Sequence, residues 1–293
     1  MQVAVFSKKF KKKDIPYIQE LFDVLYEHKI IAFVYVEFYE QLKGVVDFRR
    51  EVGVFENHLD FSVKKIDFFI TMGGDGTILD AVTLIQDSEV PIMGINLGRL
   101  GFLASIEKKR IRDAINGLVK GMYSIHDRTM LYLESNFPLF NGQPFALNDF
   151  TLLKRDTSSM ITVHTYINGA YLNSYWADGL IIATPTGSTA YSLSCGGPII
   201  FPGSGNFVVT PVAPHNLNVR PIVIPDDSVL SFEIEGRTEN YLATLDSRFD
   251  VVTVKHQLAI RKNDFPAKVV QLNDVRFMET LHKKLAWGKD ARN

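Results

Sequence analysis

Asp67-Phe68-Phe69-Ile70-Thr71-Met72-Gly73-Gly74-Asp75-Gly76-Thr77-Ile78-Leu79-Asp80-Ala81-Val82 decides the fold of the first half of this chain. An apolar run of strand type reaches a glycine turn, and helical spacing of apolar residues begins directly after it. Strand, glycine turn and helix N-terminus together make an anion site. Glycine lets backbone approach a phosphate, and the free N–H groups and helix dipole favour negative charge. A carboxylate among three glycines is ill suited to phosphate binding alone, because it repels the anion. It suits holding a metal ion or taking a proton from an attacking hydroxyl. A tight turn with Asp75 as a helix cap accounts for the same residues.

Working outward, residues 3–6, 31–36, 67–71 and 91–95 read as short strands, almost continuously apolar. Between the first two, Asp14 stands where a helix cap belongs, and Ile15, Ile18, Leu21, Phe22 and Leu25 keep helical spacing. Strands of that kind are expected where helices cover both faces of a parallel sheet. The spacing therefore predicts a doubly wound α/β domain over residues 1–121. The Lys-rich stretch Lys8-Lys9-Phe10-Lys11-Lys12-Lys13 falls in the first β-α loop. It reads as a solvated loop, with phosphate steering as the alternative, since ligands sit at strand carboxyl ends in such sheets.

From Met122 the rhythm changes to short strands in succession, near residues 130–134, 146–154, 161–167, 170–176 and 180–183. Asn168-Gly169 between two of them is a type I′ hairpin signal. Further strands are expected near 229–234, 241–245, 251–254 and 269–271. Residues 122–272 thus read as a mainly β, sandwich-like domain. An amphipathic helix over 275–287, within a C-terminal segment 273–293, is expected to pack back on the first domain.

Composition narrows the function. Of 293 residues 46% are hydrophobic and 22% charged, which is globular composition rather than disorder or low complexity. Lys plus Arg (32) nearly cancels Asp plus Glu (33), so nothing marks a nucleic-acid or membrane-surface binder. The single cysteine, Cys195, excludes an internal disulfide and a cysteine-built zinc site. It reads as a small apolar residue, and the histidines, His164 and His215 included, lack metal-ligand spacing. The first residues lack a signal-peptide pattern and no apolar run approaches membrane length, so a cytoplasmic protein without membrane or nucleic-acid partners is expected.

A second constellation runs from Asp178-Gly179-Leu180 through Thr184-Pro185-Thr186-Gly187-Ser188-Thr189-Ala190-Tyr191-Ser192-Leu193-Ser194-Cys195-Gly196-Gly197. Its Pro/Gly turn carries six hydroxyl side chains between Thr184 and Ser192, more than capping needs. Hydroxyls and backbone N–H groups recognise ribose, amide or phosphate without net charge, and Tyr191 offers a flat face for a base. Asn148-Asp149 interrupts another apolar strand. An amide and a carboxylate there suit adenine or ribose hydroxyls, and a turn or edge position explains them as well.

Together Gly73-Gly74-Asp75-Gly76-Thr77, Gly94-Ile95-Asn96-Leu97-Gly98-Arg99-Leu100-Gly101-Phe102-Leu103, Asn148-Asp149 and the stretch from Asp178 to Gly197 resemble the NAD kinases, in order and separation, over nearly the whole chain. The resemblance implies transfer of the ATP γ-phosphoryl group to the 2′-hydroxyl of the adenosine ribose of NAD, giving NADP. It also implies a divalent metal ion such as Mg²⁺ and a homo-oligomer, dimer or tetramer. By position Asp75 resembles the family's proton acceptor, with Gly76 beside it in the phosphate turn. Asn148 and Asp149 resemble the pair that holds adenosine; the family often has Glu where Asp149 stands. Asp178 and the run Thr189, Ala190, Tyr191, Ser192, Leu193 and Ser194 resemble the remaining dinucleotide contacts. Trp176, two residues before Asp178, would share its strand face. Arg248, after Asp246-Ser247, falls where the family often places a polar contact, a position that also suits a surface turn. Diacylglycerol and sphingosine kinases share the glycine–Asp motif without the second constellation. A lipid kinase and a non-catalytic NAD(P) sensor are the two other functions considered.

Overall fold

Strands buried on both faces need helices on both faces, and the first part of the chain meets that need by alternation. The computed structural model describes residues 1–155, 159–273 and 277–285. In order these are β1 (Gln2–Phe6), α1 (Ile15–Glu27), β2 (Ile31–Tyr35), α2 (Val36–Leu42), β3 (Gly53–Phe55), α3 (Leu59–Lys64), β4 (Phe68–Gly73), α4 (Asp75–Ile85), β5 (Ile92–Asn96), β6 (Ile106–Glu107), α5 (Ile111–Val119) and β7 (Tyr123–Arg128). A late strand, β20 (Ala267–Leu272), joins the same sheet, and a last helix, α7 (Phe277–Leu285), follows it. The sheet order is β3-β2-β1-β4-β5-β20-β7, with β6 beside β5. Pairing is parallel from β3 across to β20. From β1 the chain winds outward through β2 and β3, then returns to β4 on the other side of β1. That reversal makes the β1/β4 boundary the crevice where ligands bind in such sheets. Ile18, Leu21, Phe22 and Leu25 of α1 are buried against the strands, as their spacing predicts.

Asp14 sits at the start of α1 but does not cap that helix through its side chain. Its carboxylate instead accepts from the Lys11 N–H and pairs with Lys108 Nζ at 2.9 Å. Residues 269–271, read as part of the β-rich half, lie in β20 and pair parallel to β5. Compactness divides the chain into Met1–Asp127 with everything from Ala267 onward, and Arg128–Pro266. Val275, Arg276, Ala286 and Trp287 of the expected C-terminal helix lie outside the described residues.

The second unit has β8 (Leu131–Ser135), β9 (Phe145–Ala146), β10 (Asp149–Lys154), β11 (Ile161–Ile167), β12 (Ala170–Ala177), β13 (Gly179–Ala183), the short α6 (Tyr191–Ser194), β14 (Asn206–Val212), β15 (Ile222–Pro225), β16 (Leu230–Glu235), β17 (Tyr241–Leu245), β18 (Arg248–Val252) and β19 (Leu258–Lys262). They form two six-stranded sheets, β15-β14-β13-β10-β17-β18 and β12-β11-β16-β19-β8-β9, with antiparallel neighbours. One apolar core takes residues from both, Phe150 and Ile182 from the first, Val163 and Phe232 from the second. The Phe150 and Phe232 rings stack with centroids 5.9 Å apart. The β11–β12 hairpin turns on Asn168 (φ 49°) and Gly169 (φ 81°), the two left-handed residues a type I′ turn requires. Among the described residues no helix is long and apolar enough to cross a membrane.

Candidate active site

In the first unit β4 delivers the chain to the glycine turn at the reversal point of the sheet. Gly73 has no room for a side chain, since a Cβ would lie 2.0 Å from Thr77 Oγ1. Gly74 is extended (φ −99°, ψ −168°) and precedes α4, whose first turn holds Asp75. A Cβ on Gly74 or Gly76 would meet nothing within 4 Å, so the backbone there is bare on its outer side. The Lys8–Lys13 loop follows β1 at the same reversal point, and exposed Lys8 pairs with Asp80 of α4 at 3.1 Å.

The Asp75 carboxylate does not cap its own helix. Oδ2 accepts from the Phe102 N–H at 2.8 Å, and Oδ1 accepts from the N–H groups of Leu103 (3.0 Å) and Ala104 (2.8 Å). Lys284 of α7 places Nζ 3.4 Å from Oδ2 and 4.5 Å from the centre of the Phe102 ring. Such close approach requires glycine at 101, where a Cβ would fall 1.8 Å from Asp75 Oδ1. Buried Asn96 winds the same loop: Oδ1 accepts from Gly98 N–H at 2.6 Å, while Nδ2 donates to the carbonyls of Arg99 and Ala104. Asn96, Gly101 and Lys284 are absent from the sequence-based site. An Asn closing a strand before a glycine-rich loop marks the first; nothing local marks Lys284.

Three backbone donors fill most of the acceptor positions of Asp75, and among the described residues no three His, Cys, Asp or Glu side chains converge on a cation position, so Asp75 has no protein-built metal cluster around it.

In the second unit the break between β9 and β10 falls at Leu147-Asn148. Asp246, in the two-residue turn between β17 and β18 with φ 54°, reaches back to this break. Its carboxylate accepts from the N–H groups of Leu147 (2.9 Å), Asn148 (2.7 Å) and Asp149 (3.3 Å). From the other side Thr184 donates its N–H to the Asn148 carbonyl and its hydroxyl to the Leu147 carbonyl, at 2.9 and 2.6 Å. Gly187 packs so tightly that a Cβ would lie 1.9 Å from the Asn148 carbonyl oxygen. The Asn148–Asp149 pair and the hydroxyl-rich turn are thus one site.

The side chains there are acceptors short of donors. Asn148 Oδ1 is buried without a hydrogen-bond partner. Asp149 is buried, with Thr151 Oγ1 donating at 3.2 Å; burial and the neighbouring Asp246 push its carboxyl up to about 7. Burial raises Asp246 as well, against the pull of its amide donors and Arg248. Burial also raises the Tyr191 hydroxyl and the Cys195 thiol, with Asp149 adding to both.

The hydroxyl surplus has a more modest explanation than ligand binding. Thr184 Oγ1 donates to the Leu147 carbonyl and accepts from the Gly187 N–H, Ser188 donates to the Pro185 carbonyl, Thr189 donates to the Thr186 carbonyl, and Ser192 pairs with Thr210 at 2.8 Å. These hydroxyls build the frame, while Tyr191, 40% exposed, presents its ring outward beside Ala190, Leu193 and exposed Ser194. Trp176 and Asp178 do not share a strand face, because the chain leaves one sheet after Ala177 and enters the other at Gly179. Trp176, 44% exposed, lies with its ring 4.3 Å from that of His215, and Asp178 pairs with Lys154 Nζ at 2.6 Å. Arg248 donates to the carbonyls of Gln143 and Phe145 and lies over the Phe145 ring, bracing the approach to Asn148.

A glycine–carboxylate turn at the reversal point of a parallel sheet, followed by an antiparallel unit with an acceptor-rich turn, defines a two-part nucleotide-handling protein. Residues 3–123 match the family model described as the ATP-NAD kinase N-terminal domain, and residues 147–272 match the ATP-NAD kinase C-terminal domain. An NAD kinase of Cytophaga hutchinsonii is 46% identical over the full length of both chains. Among solved structures, an NAD kinase from Archaeoglobus fulgidus in complex with ATP aligns with TM-score 0.74 and 25% identity, over 98% of this chain and 100% of that one. Yeast NADH kinase complexed with NADH shares the fold, with TM-score 0.87 and 23% identity over 99% and 88% of the two chains. The chain belongs to the NAD kinase family.

Proposed function

We propose that this chain transfers the γ-phosphoryl group of ATP to the 2′-hydroxyl of the adenosine ribose of NAD, releasing NADP and ADP. The observation that carries the reading is the acceptor-rich site of the second unit. An unpartnered buried amide oxygen on Asn148 and an underserved carboxylate on Asp149 call for a ligand rich in donors. The exocyclic amine of adenine and the ribose hydroxyls are such donors. Tyr191 supplies a face for the base, and the further dinucleotide contacts are Trp176, Asp178, Arg248 and the run from Thr189 to Ser194, whose inward hydroxyls also brace the turn. Gly76, open on its outer side, lets phosphate approach the start of α4.

Asp75 takes the proton of the attacking hydroxyl. An ionised carboxylate has about four acceptor positions, and the amides of residues 102–104 fill three. The substrate hydroxyl takes the fourth, on the Oδ2 side where Lys284 stands at the longest of these distances. A carboxylate so placed contributes about 10²- to 10⁴-fold to the rate. The divalent ion enters as part of the substrate, magnesium–ATP, held mainly by its phosphates. A homo-oligomer in the cytoplasm completes the reading, supported by family resemblance alone.

The test is direct. Purified protein with magnesium–ATP and NAD should form NADP, read through an NADP-specific dehydrogenase, while diacylglycerol and sphingosine remain unphosphorylated. Binding of NAD without turnover would reduce the protein to a dinucleotide sensor and sink the proposal.

A further inference from the structure

We propose that Asp246 is a positioning residue for the dinucleotide site: its carboxylate holds the backbone of residues 147–149 in the bent form that presents the Asn148 and Asp149 side chains. The inference rests on the reading of those two residues as dinucleotide contacts. Three consecutive N–H groups converge on one carboxylate, and the Asp246 N–H in turn donates to the Asp149 carbonyl at 3.0 Å. Consecutive amides pointing one way cannot continue a β-ladder, whose N–H groups alternate sides. The Asp246 carboxylate therefore replaces a strand as their partner and ends β9 before β10 begins. Because Asp246 sits on a two-residue turn with a left-handed backbone, its own position is fixed by the β17–β18 hairpin.

The same carboxylate also acts through its charge. The groups facing Asp149 are Asp246, Thr151, Tyr191 and Cys195, and among them Asp246 is the carboxylate; Arg248 faces Asp246. A like charge beside Asp149 favours its protonated form. A protonated Asp149 loses acceptor capacity toward a ribose hydroxyl, so NAD binding should weaken as pH falls through about 7. Burial does most to raise the Asp149 carboxyl and the Asp246 charge adds to it, so Asp246 shifts the acid limit of the site toward neutral pH.

Asp246→Asn in the full chain separates the two roles, because Asn keeps one acceptor oxygen and loses the charge. Calorimetric Kd values for NAD between pH 6 and 8 should show the acid-side weakening displaced to lower pH. Relative to wild type, binding at pH 6 should improve by up to about tenfold over the comparison at pH 8. Asp246→Ala, lacking acceptor and charge, should raise the KM for NAD at every pH with kcat at saturation nearly kept. An unshifted pH profile in Asp246→Asn, or normal KM in Asp246→Ala, overturns the assignment. Should both variants fail to fold, carboxyl ¹³C NMR of the wild-type protein decides. An Asp149 titration near pH 7 in two coupled steps shared with the Asp246 carboxyl supports the inference, because burial alone gives a single step; a single-step titration of Asp149 refutes it. Asp149→Asn tests the underlying reading separately: unchanged NAD affinity there removes Asp149 from the site, while the NMR titration still reports on Asp246.

Discussion

Asp75→Asn should lower kcat at saturating NAD and magnesium–ATP by at least about 10²-fold, with the affinity for NAD nearly unchanged. The substitution removes the proton acceptor while the acceptor-rich site of the second unit stays intact. It also has a structural cost that can be foreseen. With its carbonyl at the Oδ1 position Asn keeps the N–H groups of Leu103 and Ala104, but its NH₂ then faces the Phe102 N–H and Lys284. Donor against donor loses that bond, at a cost of about 1–3 kcal/mol in the first unit. Thermal melts of variant and wild type quantify that loss, and stopped-time assays below the melt give kcat. Near-normal turnover would remove Asp75 from the chemistry and leave it as the clamp of its loop.

Gly187→Ala should lower the Tm of the second unit by on the order of 10 °C and raise the KM for NAD sharply. The added methyl would stand 1.9 Å from the Asn148 carbonyl oxygen, 2.4 Å from its carbon and 2.7 Å from Cα. All three are backbone atoms, so no rotamer change relieves the clash. Relief requires moving residues 147–149, which are held by Asp246 on one side and Thr184 on the other. Overpacking of this kind costs about 3 kcal/mol, and the displaced Asn148 takes the amide oxygen out of place. Calorimetry and steady-state kinetics check both parts. An unchanged Tm would mean that the turn and the Asn148 loop are not in contact as described.

Local signals in the chain revealed the parts of the fold that local physics decides. Buried parallel strands must be apolar on both sides, so β4 stood out as a run ending at glycines. Asn168-Gly169 was legible because few residues accept two successive left-handed conformations. What stayed hidden depends on partners far along the chain. Residues 269–271 read as a strand, but nothing in them says that the neighbour is β5. Asp75 could be placed at the sheet edge, yet its hydrogen bonds come from residues 102–104 and its ion pair from residue 284. The hydroxyls between Thr184 and Ser192 were visible as a surplus; that several serve the frame follows only from the carbonyls they meet. Asp246 stays hidden in the sequence because an Asp in a tight turn is unremarkable until three amides almost a hundred residues earlier point at it.

A crystal structure with NAD bound tests the central claim most directly. An Asp75 carboxylate oxygen should lie within about 2.6–3.2 Å of the 2′-hydroxyl oxygen of the adenosine ribose, with Lys284 displaced from its present position. That hydroxyl facing bulk water, with the carboxylate still engaged by the loop amides and Lys284 alone, would contradict it.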